Sequence, residues 1–109
     1  MAHRLRTVEL DFIDKARHRF VFEASVPASQ ETVFGAISDD PSTWTWWPGH
    51  EGGQYETPAP HGVGSRREMH MGDSQYRETI LAWDEPTRWA YRVDESADSL
   101  IDALVEEWV

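Results

Sequence analysis

The sequence contains no cysteine. That excludes disulfides and thiolate metal sites. No apolar run approaches the roughly 18 residues needed to cross a bilayer. The opening stretch MAHRLRTVELDF lacks the apolar core of a secretory signal. Basic residues are scarce: ten Lys and Arg stand against 20 Asp and Glu. The shortage is uneven. Residues 1–19 carry five basic and three acidic side chains, whereas the remainder carries five basic against 17 acidic, with six acids and no base from Asp94 to Val109. Phosphate backbones are held by Lys and Arg, so this distribution argues against a nucleic-acid partner. The acidity reads as a solubility device. There is no phosphate loop, dinucleotide fingerprint or Ser-His-Asp signature, and Gly62-Val63-Gly64 is too short to be one. His3, His18, His50, His61 and His70 form no set at ligand spacing. Neither a metal nor a cofactor is implied. The expectation is a soluble, cytoplasmic protein without a membrane span.

What the chain has is aromatic bulk. Its 109 residues suit one domain, and 39% hydrophobic content supports a packed core despite 28% charged residues. Six tryptophans are present, and three fall in Ser42-Thr43-Trp44-Thr45-Trp46-Trp47-Pro48-Gly49. Around that stretch the pattern changes. The first 18 residues are weakly patterned and read as an irregular or partly helical lead-in. Phe20, Phe22, Ala24 and Val26 alternate with Val21, Glu23 and Ser25, which predicts a strand with one apolar face. Pro27 ends it. Ser29 as N-cap, Glu31 in the first turn, and Val33, Phe34 and Ile37 at helical spacing predict a helix over about 29–38. Asp40-Pro41 suits the start of a second short helix, on which Trp44 and Trp47 share a face and Trp46 points elsewhere.

Beyond Gly49 the pattern is strands and turns. A short strand is predicted near Gly53–Thr57, then a hairpin of Ser65–Met71 and Gln75–Trp83 joined by Gly72-Asp73-Ser74. Arg88 to Glu95 forms a further strand, with Trp89, Tyr91 and Val93 on one face. The tail stays open: Leu100, Leu104 and Trp108 suit a helix, and Leu104, Glu106 and Trp108 suit a strand.

These pieces resemble a known family. Pro27-Ala28-Ser29, then Thr32-Val33-Phe34 and Ala36-Ile37-Ser38-Asp39, is similar to the opening of the START-like superfamily, also called SRPBCC, the polyketide cyclase/dehydrase and lipid-transport proteins. The tryptophan stretch, Gly62-Val63-Gly64-Ser65-Arg66-Arg67, and Glu78-Thr79-Ile80 with Ala82-Trp83-Asp84-Glu85-Pro86-Thr87-Arg88-Trp89-Ala90-Tyr91 follow in the family's order. The resemblance spans about residues 19–109. It implies an α+β helix-grip fold: a curved antiparallel sheet with two short helices after the first strand, gripping a long C-terminal helix over a hydrophobic cavity. It further implies an apolar small-molecule ligand, such as a lipid or polyketide, and in a minority of members a cyclase or aromatase activity. The long helix has no counterpart before Val109. The expectation is an incomplete domain, marginally stable or self-associating through an open sheet edge.

Within that frame the ligand-binding candidates are Phe34, Trp44, Trp47 and Arg67, together with Met69, Glu78, Trp89 and Tyr91. Arg67, Met69 and Met71 alternate with Arg66, Glu68 and His70, and the apolar set reads as inward. Arg67 is then either an anchor at a cavity mouth or a structural arginine paired with a carboxylate such as Glu78. The register of the facing strand stays open between Tyr76, Glu78, Ile80, Ala82 and Arg77, Thr79, Leu81, Trp83. An inward Glu78 needs a partner and could serve as a general acid or base. Trp89, Tyr91 and Val93 are core, cavity wall or both. Three functions stay open: a binding protein for an apolar molecule, a cyclase-like enzyme, and an interaction module without a ligand.

Overall fold

The computed structural model describes residues 3–97 and 100–109. Its elements in chain order are β1 (His3–Arg4), α1 (Phe12–Lys15), α2 (Gln30–Ser38), a 3-10 turn (Pro41–Thr43), β2 (His50–Tyr55), β3 (Arg66–Met71), β4 (Ser74–Asp84), β5 (Arg88–Ser96) and β6 (Val105–Trp108). The six strands form one antiparallel sheet in the order β1-β5-β4-β3-β2, and β6 also pairs with β5. β1 takes Glu95 and Ser96, while β6 takes Trp89 to Arg92, so the two share the β5 edge that β4 leaves free. This is an α+β architecture built on a curved antiparallel sheet with two short helices.

Local chemistry accounts for the elements that hold the site. The Ser29 hydroxyl accepts from the Thr32 backbone N–H at 3.1 Å, and such a cap contributes about 1 kcal/mol. α2 then buries Phe34 and Ile37 against Tyr55, Ile80 and Trp89, the centre of the core. Each large apolar side chain so buried contributes about 1.5–3 kcal/mol. The β3–β4 hairpin closes through Gly72, whose positive φ of 57° suits the first position of a two-residue turn. Gly53 is required for another reason. It sits against β3 at φ 129°, and a Cβ there would lie 2.2 Å from the Glu68 carbonyl oxygen.

The structure departs from the sequence pattern in several places. Phe20 to Val26 is not a strand: Phe20, Val21, Phe22 and Val26 are all exposed. Alternation supplies β-propensity, but a strand needs an edge to pair with, and this segment has no strand partner among the described residues. The predicted second helix is a single 3-10 turn, capped by Asp40, whose carboxylate accepts from Ser42 N–H at 3.0 Å. Trp44 to Trp47 therefore follow no helical spacing. The strand expected from Gly53 starts earlier, at His50. The tail, left open between helix and strand, is strand β6.

The pairing of β4 also settles its open register. The pairing shifts between Ile80 and Ala82, because Leu81 is an extra residue opposite the Ala90–Tyr91 step. Before this bulge, Tyr76, Glu78 and Ile80 share a face with Tyr91. After it, Trp83 pairs with Trp89 on that same face. Each of the two candidate registers therefore holds for half of the strand.

Candidate functional site: an aromatic-walled cavity

A cavity of about 330 Å³ opens over the concave face of β3, β4 and β5. Its floor begins with an ion pair. Arg67 on β3 and Glu78 on β4 are direct cross-strand partners. Arg67 Nε donates to Glu78 Oε1 at 2.7 Å, and Nη1 donates to the Ile37 carbonyl at 2.9 Å. The guanidinium also lies 4.5 Å from the Trp89 ring centroid and 5.1 Å from that of Trp44. Both charged residues are buried, Arg67 at 2% exposure and Glu78 at 4%. A buried ion of this kind is tolerated only when paired and hydrogen-bonded, and these contacts meet both conditions. Burial raises the Glu78 carboxyl to about 6, with Arg67 pulling the other way.

A second carboxylate sits across the cavity. Glu106 on β6 accepts from Tyr91 Oη at 2.8 Å and from Trp108 Nε1 at 2.7 Å. Burial, followed by the charges of Glu78 and Glu106, holds the Tyr91 phenol well above its usual range, so it stays a donor. Behind the cavity, Tyr55 Oη donates to the Ser38 carbonyl at 2.6 Å and its ring stacks on His61 at 3.8 Å. Burial of that phenol raises it to about 12. Trp89 Nε1 is buried with no hydrogen-bond partner among the described residues.

The tryptophan run forms the mouth. Trp44 packs on Trp46 at 5.0 Å, and Trp46 on Trp47 at 5.1 Å. Trp44 Nε1 donates to the Asp39 carbonyl at 3.2 Å, which fixes the first ring over Arg67. Trp46 and Trp47 are 43% and 37% exposed, so both stand at the rim. The expected contrast, with Trp47 turned in and Trp46 turned out, is absent because no helix spaces them.

Seven of the eight sequence-predicted residues line this cavity: Trp44, Trp47, Arg67, Met69, Glu78, Trp89 and Tyr91. Phe34 does not. It packs in the core beneath, edge-on to Trp83 at 5.7 Å. Sequence reasoning missed Tyr76, whose strand register was open, and the wall built by Leu104, Glu106 and Trp108. The alternation of those last three residues was the signal for it. Among the described residues, no group of three His, Asp or Glu side chains is placed to hold a metal ion. No helix among them is long and apolar enough to cross a membrane.

A curved antiparallel sheet with an aromatic-walled cavity over its concave face defines an α+β class of cavity-bearing domains. Residues 17–108 match the polyketide cyclase / dehydrase and lipid transport family, and the chain belongs to that family, a START-like group. No curated protein and no solved structure gives a match.

Proposed function

We propose that the chain binds an apolar small molecule, of lipid or polyketide type, in the cavity above β3, β4 and β5. One observation carries this reading: a cavity of about 330 Å³ whose walls are mostly aromatic and aliphatic, with the few polar groups held in fixed positions. Such a site gains affinity from buried apolar area and orientation from its few polar anchors. The test is native mass spectrometry of the purified protein, followed by thermal shift against a panel of apolar ligands. A lipid-sized adduct, or a raised Tm that Trp44→Ala abolishes, supports the reading. The absence of any adduct and any shift across the panel overturns it.

A cyclase- or dehydratase-like reaction is the second reading. It is favoured by Glu78, which titrates near 6 while facing the cavity, and by the Tyr91–Glu106 hydrogen bond beside it. Turnover of a poly-β-keto thioester, lost in Glu78→Gln, supports it. Turnover that persists in that variant, or none in the wild type, removes it.

A further inference from the structure

The charges around the cavity do not balance. Its lining holds one cation, Arg67, and two carboxylates, Glu78 and Glu106. Arg67 is already engaged by Glu78, the Ile37 carbonyl and the faces of Trp89 and Trp44. Little of its charge is left for a ligand. Glu106 differs: its two contacts, Tyr91 and Trp108, are neutral donors. It takes part in no ion pair among the described residues, since the neighbouring Arg88 is bound to Glu107. A carboxylate offers about four acceptor positions, so two donors leave room for more. Tyr91 and Trp108 turn their donor edges to the carboxylate, which fixes its position in the wall without neutralising its charge. The chain's formal charge of −10 adds a long-range field of the same sign preference.

We infer that the cavity selects an apolar molecule carrying a positively charged nitrogen, an alkyl- or arylammonium seated against Glu106, over neutral or anionic molecules of the same shape. This rests on the proposed ligand-binding role of the cavity and names the chemistry of its occupant. Arg67 and Glu78 act together as a neutral, fixed part of the wall, and an acyl carboxylate finds Glu106 repelling it.

Isothermal titration with three matched probes tests the inference: 2-naphthylmethylammonium, neutral 2-methylnaphthalene and 2-naphthoate. The ammonium is expected to bind about tenfold tighter than the neutral probe, and the carboxylate more weakly than either. In Glu106→Gln the ratio of ammonium to neutral affinity is expected to fall to about twofold or less. The wild-type series decides the charge preference even where that variant fails to fold. Equal binding of ammonium and neutral probe, or tightest binding of the carboxylate, overturns the inference while leaving the ligand-binding reading standing. Binding of none of the three overturns the inference, and the ligand-binding reading then stands or falls on the adduct and thermal-shift panel.

Discussion

Arg77 and Glu78 are neighbours on β4, and each makes an ion pair on its own side of the sheet. Glu78 pairs with Arg67 at 2.7 Å, with side-chain exposures of 6% and 3%. Arg77 pairs with Glu95 at 3.3 Å, with exposures of 54% and 34%. The chemistry is the same and the surroundings are opposite. On the outer face water screens both charges, and either partner can lose the other at little cost. On the cavity face neither charge has water to fall back on, so the pair matters mainly through what its breaking leaves behind. The contrast shows why an ion pair on a concave apolar face fixes geometry more than it adds net stability.

The strongest way to sharpen this comparison is to break the inner pair from one side. Arg67→Met should destabilise the protein by about 3–5 kcal/mol, because it strands a buried carboxylate. The double variant Arg67→Met, Glu78→Leu should recover most of that loss, as measured by urea unfolding. A double variant no more stable than the single one would show that the pair itself carries the stability.

Acidity gives the next largest effect. Glu78 is raised to about 6 from an ordinary 4.5, so the folded protein holds this proton more tightly than the unfolded chain does. Between those values the folded state binds more protons, and stability rises as pH falls. The group's contribution is fully present below about 4.5 and is lost as pH climbs through about 6. The gap corresponds to about 2 kcal/mol. It should appear as the stability of the wild type minus that of Glu78→Gln, followed from pH 7 to pH 4. A difference that shrinks toward acid would mean that Arg67 outweighs burial.

The smallest effect lies outside. Arg77→Met should change stability by about 0.5 kcal/mol, and that change should fade in 1 M salt. A loss comparable to that of Arg67→Met would erase the distinction between the two faces.

How far the sequence reached follows the same physics. α2 was legible because its cap, its spacing and its Pro-flanked ends all agree. The β3–β4 hairpin and the inward set Arg67, Met69 and Met71 were legible because strict alternation meets a glycine turn. Phe20 to Val26 misled because periodicity describes a face and carries no information on whether a partner edge exists. The tryptophan run misled because Pro41 and Asp40 start helices and 3-10 turns alike. Glu106 and Trp108 were hidden in a tail short enough to satisfy two periods at once. The family resemblance covered the fold's general plan, whereas the cavity's second carboxylate, Glu106, became visible only when β6 was laid against β5.

The bulge at Leu81 has a consequence for how such a protein can change over generations. In a strand of unbroken alternation, every second position answers to one face, and the demands of cavity and core are tied together along its length. One residue out of phase unties them. Tyr76 and Glu78 meet the cavity, and Trp83, beyond the bulge, holds Phe34 of α2. Tyr76, which lines the cavity without belonging to the buried ion pair, can therefore change while Trp83 keeps its hold on Phe34.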